Sequence, residues 1–255
     1  MNIKGKTILI TGGGSGIGLE AAKQFLELGA KVIVTGRNQQ KLDLAKNAYP
    51  TLVCIKSDAG SGEDALALFK KVSELGGIDI LYNNAGVGVA PKNLGISSDD
   101  HFKGAEYEMQ VNYLGVIRLN NLFMEMLRSR NESAIIMTTS ILSIVPSLIE
   151  ATYSASKTAL AFYTRSLRAH LNIIGAKVKV FELLPPLVDT EMVADRDDKK
   201  MSTGQLVAGL IKGLQQDQYT IRVGDSKIIF MFNRILPNLA FSLINPKKLN
   251  SLLKS

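Results

Sequence analysis

Thr7-Ile8-Leu9-Ile10-Thr11-Gly12-Gly13-Gly14-Ser15-Gly16-Ile17-Gly18 carries an apolar run straight into a glycine-rich turn and then into a segment of helical length, Gly16–Leu28. The unbroken apolar run reads as a strand covered on both faces, the habit of a parallel sheet. Glycines let the backbone turn tightly and approach a pyrophosphate, whose charge the free N–H groups and positive end of the following helix would stabilise. The spacing fits TGxxxGxG through Gly12, Gly16 and Gly18. The other common dinucleotide spacing would need a glycine where Ile17 stands. Such a turn also suits a plain strand-to-helix connection, so its surroundings must decide.

Working outward, the pattern repeats. Lys31–Thr35, Leu52–Ile55, Ile78–Tyr82, Ala134–Thr139 and Val178–Leu183 are further buried-strand candidates. Between them lie amphipathic stretches, Gln39–Ala48, Glu63–Leu75, His101–Arg130 and Thr152–Ile174, long enough for the crossovers that parallel strands require. The expectation is a single-domain α/β fold, a Rossmann-like doubly wound parallel sheet with helices on both faces, over residues 1–227. A polar, charged segment from Asp189 to Thr203 precedes a helical stretch, Gln205–Gln216, and a short last strand, Thr220–Val223. Polar chain at a strand's carboxyl end suggests a substrate lid, about 189–216. Residues 228–255 form an apolar, basic C-terminal tail.

Composition narrows the functions. With 255 residues, 46 % hydrophobic, the chain can fill a sizeable core, which excludes disorder. The single cysteine, Cys54, and two histidines, His101 and His170, cannot assemble a zinc-type cluster, so no metal is expected. The net charge of +7 is concentrated at the end: Tyr219 to Ser255 holds six basic residues against Asp225 alone. Without a Lys/Arg-rich block or any tryptophan elsewhere, a nucleic-acid groove is disfavoured. Met1 to Lys6 is too short for a signal-peptide core, and a cytoplasmic protein is expected.

At the end of the second strand stand Thr35, Gly36 and Arg37, where an NAD-binding site of this kind would carry an acid for the adenosine ribose. No carboxylate is there to repel a 2′-phosphate, and Arg37 can grip one bidentately, so NADP(H) is favoured over NAD(H). Arg37 could also be a solvated helix-start arginine. Farther on, Tyr153 and Lys157 are four residues apart and share a helix face. An ammonium beside a phenol favours the phenolate and would draw its pKa down from about 10. Alone, YxxxK equally describes a core-edge tyrosine with a solvated lysine.

The companions change this reading. Ser140 follows the strand Ala134–Thr139, Asn83-Asn84-Ala85-Gly86 ends another strand, and Asn112 sits inside a long helix. Together these motifs resemble the short-chain dehydrogenase/reductase family over nearly the whole chain, from Thr11 to about Val223. The resemblance implies a catalytic tetrad of Asn112, Ser140, Tyr153 and Lys157. It also implies a cofactor site drawn from Gly12, Ser15, Gly16, Ile17, Gly18, Asn84, Ala85 and Gly86, with Asp58 meeting the adenine amine. Tyr153 would donate a proton to the carbonyl oxygen, Ser140 would hydrogen-bond that oxygen, Lys157 would bind the nicotinamide ribose, and Asn112 would hold a proton-relaying water. The family usually shows Pro-Gly-x-Val-x-Thr after the sixth strand, whereas here Pro185-Pro186-Leu187-Val188-Asp189-Thr190 stands. Pro186 fixes φ and removes an N–H. Val188 and Thr190 keep the positions that would meet the carboxamide and pyrophosphate, and the doubled proline resembles the DltE-like branch of oxidoreductases.

The implied activity is hydride transfer between the cofactor and a carbonyl or alcohol substrate, with a non-catalytic dinucleotide-binding sensor or scaffold as the alternative. The resemblance also implies a homo-oligomer, dimer or tetramer, formed through the helices around Asn112–Arg130 and Thr152–His170. Leu119, Leu122, Phe123 and Met126 could serve there as core or interface, and helical spacing favours core. The tail is interrupted by Asn233, Arg234, Pro237 and Asn238 and is too short to span a bilayer. It either packs on the body or a partner subunit, or lies against a membrane surface with Arg234, Lys247 and Lys248 near anionic headgroups.

Overall fold

The computed structural model describes residues 1–194, 196 and 198–254. Seven parallel strands form one sheet: β1 (Thr7–Ile10), β2 (Lys31–Gly36), β3 (Val53–Lys56), β4 (Ile80–Asn83), β5 (Ser133–Thr138), β6 (Val178–Leu184) and β7 (Thr220–Arg222), in the order β3-β2-β1-β4-β5-β6-β7. β1 is paired on both sides, Ile8 with Val32 of β2 and with Ile80 of β4. The chain winds outward to β3 and then crosses back to β4, so the loops leaving β1 and β4 diverge and open a crevice at their carboxyl ends.

Strand alternation divides the core between the two faces. Ile8, Ile10, Val34 and Tyr82 face α1 (Gly16–Glu27) and α7 (Thr203–Gln215), and pack with Phe25, Leu206 and Leu210. Leu9, Ile33 and Leu81 face the other way, against the side of α3 (Gly62–Glu74), α5 (Gly115–Arg128) and α6 (Ala151–Ile173), and pack with Leu68, Phe123 and Leu160. Each fully buried aliphatic side chain of this kind contributes about 1.5–3 kcal/mol of transfer free energy. α2 (Gln39–Ala48) completes the first crossover and is capped by the Asn38 side chain, which accepts from the Lys41 N–H at 3.1 Å.

Two expectations change. The helical stretch His101–Arg130 is α4 (Asp99–Met109) running through a π-helical turn, Gln110–Leu114, into α5. Asn112 lies in that turn, where the helix is widened. The expected lid at about 189–216 divides as well. Its second half, α7, buries Leu206, Val207, Leu210 and Leu214 completely and belongs to the core. Only the segment before it crosses the cleft mouth. Its ends are held together: the Met201 N–H donates to the Leu187 carbonyl and the Asp189 N–H to the Met201 carbonyl, both at 2.9 Å.

Past β7 the tail forms α8 (Asp225–Ile235), α9 (Pro237–Ile244) and a final 3-10 turn, Lys247–Leu253. Its inner face packs on the body, with Ile229 and Ala240 against Ile141 and Val145. The Asn245 amide secures it by accepting from the Leu148 N–H at 2.7 Å and donating to the Pro146 carbonyl at 3.0 Å. Among the described residues, no helix is long and apolar enough to cross a membrane. Leu119 and Phe123 are buried, and Leu122 and Met126 pack against the same core cluster.

Candidate active site

The loops after β1 and β4 are tied together at the crevice. The Thr11 hydroxyl accepts from the Asn84 and Ala85 N–H groups at 3.0 Å, and the Asn84 amide donates to the Thr11 and Gly12 carbonyls at 3.1 and 3.3 Å. Gly12, at φ +65°, leaves room for this: a Cβ there would lie 2.9 Å from the Ala85 Cα. Ser15 precedes α1 and makes no side-chain cap to the helix's first N–H groups, and Ser15, Gly16 and Ile17 line the crevice.

A cleft of about 1290 Å³ runs from this turn across the carboxyl edge of the sheet. Gly12, Ser15, Gly16, Ile17, Arg37, Asp58, Asn84, Ala85, Gly86, Ser140, Tyr153, Lys157, Val188 and Thr190 all line it. Two expected residues do not. Gly18 sits behind the turn, where a Cβ would lie 2.3 Å from the Gly12 carbonyl oxygen, so it lets helix and turn approach rather than facing the cleft. Asn112 is fully buried, and its amide is spent on positioning: Oδ1 accepts from the Val87 N–H at 2.8 Å, while Nδ2 donates to the Val87 carbonyl at 2.9 Å and to the Ser156 hydroxyl at 3.0 Å.

Near the glycine turn, Arg37 is exposed and its guanidinium lies 5.5 Å from the centre of the Tyr107 ring. Lys41, one helical turn on, also lines the cleft and is ion-paired with Glu191 of the crossing segment. The Asp58 carboxylate is oriented by accepting from the Gly60 N–H at 2.8 Å.

After β5, Ser140 begins a 3-10 turn and accepts from the Leu142 N–H at 3.1 Å. Tyr153 and Lys157 project from the first turns of α6. Lys157 is buried, donates to the Thr138 carbonyl at 2.9 Å, and has its Nζ 5.7 Å from the Tyr153 ring centre. Burial lowers its pKa to about 8. The Tyr153 phenol departs from the expectation of a lowered pKa. Burial and the nearby Glu150 carboxylate raise it, and a hydrogen bond with Ser140 opposes them only in part. The phenol therefore holds its proton at neutral pH and stands ready as a donor.

Sequence reading missed Lys41, Glu150 and Arg196, which line the same cleft. Lys41 had a signal in its i+4 spacing from Arg37, and Glu150 in its place just ahead of the Tyr153 helix. Arg196 had none, because its partner Glu150 is brought to it by the fold.

The profile of the short chain dehydrogenase family matches residues 6–201. The chain is 32 % identical to the uncharacterized oxidoreductase DltE of Bacillus subtilis (strain 168), covering 87 % of this chain and 89 % of that protein. Among solved structures it resembles a short chain dehydrogenase from Burkholderia cenocepacia J2315 in complex with NADP, with TM-score 0.84, 27 % identity, and coverage of 96 % of this chain and 99 % of the other. It shares its fold with a short chain dehydrogenase/reductase from Burkholderia phymatum in complex with NAD, with TM-score 0.82, 22 % identity, and coverage of 94 % and 96 %.

Proposed function

The chain belongs to the short-chain dehydrogenase family, and from that premise we propose an NADP(H)-dependent oxidoreductase that moves hydride between a nicotinamide cofactor and a carbonyl or alcohol, using Tyr153 as acid and base. It is an oxidoreductase of that family. The observation that carries the finer reading is the convergence of Ser140, Tyr153 and Lys157 on the cleft that begins at the glycine turn.

The residues fit a dinucleotide. The uncapped start of α1 offers N–H donors to a pyrophosphate, and Gly12 keeps side chains out of the way. Asp58 would accept from an adenine amine, and Lys157 would hold ribose hydroxyls. Arg37 and Lys41, with no carboxylate at Thr35 to Asn38, favour a 2′-phosphate. When bound, the nicotinamide supplies or accepts hydride. Tyr153 then gives its proton to the carbonyl oxygen as negative charge develops there, Ser140 donates a hydrogen bond to the same oxygen, and Asn112 keeps Val87 and Ser156 in register around them.

Tyr153→Phe tests this reading. Hydride transfer to any accepted carbonyl should fall by at least 100-fold while dinucleotide affinity stays within about twofold. Full activity in that variant would sink the mechanism and revive a binding-only role.

For assembly we propose a homo-oligomer that buries Leu114 and Phe162, which are exposed on the helices expected to pair. For the tail we propose contact of its outer face with an anionic lipid surface. Met231, Ile235 and Leu239 are exposed there beside Lys227 and Arg234.

A further inference from the structure

The same cleft is also lined by apolar side chains from four separate parts of the chain, which we take together as its apolar arm: Leu142 after β5, Met192 and Val193 of the crossing segment, Ile228 of α8, and Leu243 of α9. The tail is thus a wall of the cleft. Ile228 and Leu243 line it and remain 52 % and 50 % exposed. Among the described lining residues Tyr153 is the only aromatic one. The charges near the arm are largely matched: Arg196 pairs with Glu150 at 2.6 Å and Lys248 with Asp198 at 2.5 Å, while Asp225 sits at the positive end of α8.

We propose that this arm takes the aliphatic chain of a carbonyl or alcohol whose oxygen lies at Tyr153 and Ser140. The inference rests on the oxidoreductase reading above and names its substrate class. A polyol would need donors and acceptors along the walls, and an aromatic ring is best held against aromatic faces; these five residues offer aliphatic groups and a thioether instead. An anionic end group would have to displace Glu150 from Arg196 or Asp198 from Lys248, and a cationic one would have to meet Asp225 at the start of α8. A methylene chain needs neither, and each CH₂ removed from water strengthens binding about three- to fourfold.

The test is calorimetric titration of the protein saturated with NADP⁺ using straight-chain primary amides of four to ten carbons, whose carbonyl can accept both hydrogen bonds while no hydride is available. Affinity should rise about two- to fourfold per added methylene until the arm is full. That gain per methylene should shrink in Ile228→Asn/Leu243→Asn, both half-exposed positions, with folding checked by thermal melting. Met192→Asn, on a different segment, replaces the double variant if the latter fails to fold. Affinity independent of chain length, tighter binding of benzamide than of the longest amide, an unchanged gain in the variants, or no amide binding at all would each overturn the proposal. A chain-length gain without turnover of any carbonyl or alcohol would leave the arm standing and remove the oxidoreductase reading. Turnover of short carbonyls without such a gain would do the reverse.

Discussion

Arg196, on the segment crossing the cleft mouth, donates to the Glu150 carboxylate at 2.6 Å, three residues ahead of Tyr153 in the chain. The pair joins the crossing segment to the start of α6 and also bears on the acid. The Glu150 charge raises the Tyr153 pKa, and the Arg196 charge lowers it. Arg196→Ala should leave the carboxylate unbalanced and move the tyrosine-controlled limb of the pH-rate profile to higher pH. Glu150→Gln should move it lower. With cofactor saturating, alcohol oxidation followed from pH 6 to 11 reads both shifts, and identical profiles would show that the pair only holds the segment in place.

Lys157 gives a second pH dependence with a definite sign. Its folded pKa is lowered to about 8, below the value near 10.4 of an exposed lysine. Between those values the unfolded chain binds the proton and the folded chain has lost it. Stability contributed at this site therefore rises with pH, by at most about 1.4 kcal/mol per unit. The Tyr153 phenol, raised rather than lowered, acts in the opposite direction only above about pH 10. Urea unfolding at pH 7.5 and 9.5 should show wild type gaining on Lys157→Met over that interval. A constant difference between the two proteins would mean that the ammonium is not desolvated.

The strands and crossovers were legible because parallel strands buried on both faces must be apolar, and β1, β2 and β5 show it almost residue by residue. Ser140, Tyr153 and Lys157 were expected from the family resemblance rather than from local spacing, and the structure brings them to the same cleft as the glycine turn. The π-helical turn at Asn112 was not legible, since a slipped hydrogen-bond register leaves no mark on residue type. Nor was the burial of α7, whose helical stretch follows directly on a polar segment that looks like a lid. The raised Tyr153 pKa was not legible, because a four-residue spacing puts Lys157 on the same helix face but shows neither the burial of the phenol nor the Glu150 carboxylate near it. The wall that α8 and α9 build belongs to contacts across nearly a hundred residues, such as Leu148 with Asn245, which no local pattern encodes.

Arg37 sets the expected cofactor preference. Its guanidinium, over the Tyr107 ring and one turn from Lys41, would make charge-assisted bonds to a 2′-phosphate. Replacing it by Asp should weaken NADPH binding by about 1.5–3 kcal/mol and favour NADH, because a carboxylate there repels the phosphate and accepts from the ribose hydroxyls. Lys41→Ala should cost less, since that lysine is shared with Glu191. Fluorescence titration with both dinucleotides decides it, and equal affinities in the unmodified protein would remove Arg37 from the cofactor site.

The tail's two faces make separable predictions. Truncation after Lys227 removes Ile229, Ala240 and the Asn245 amide together, baring Ile141 beside Ser140 and leaving the Leu148 N–H without its acceptor. Such a loss should destabilise the protein by several kcal/mol, so truncation is a poor test of what the outer face does. Met231→Ser/Ile235→Ser/Leu239→Ser alters exposed positions only and should leave thermal stability nearly unchanged. If the outer face meets lipid, the unmodified protein should sediment with phosphatidylglycerol vesicles but not with neutral ones. The binding should weaken at high salt, as expected of cations worth about 1 kcal/mol each near an anionic surface. The triple variant should stay in the supernatant. Loss of self-association in that variant, with no vesicle binding by the unmodified protein, would instead assign the face to a second copy of the chain.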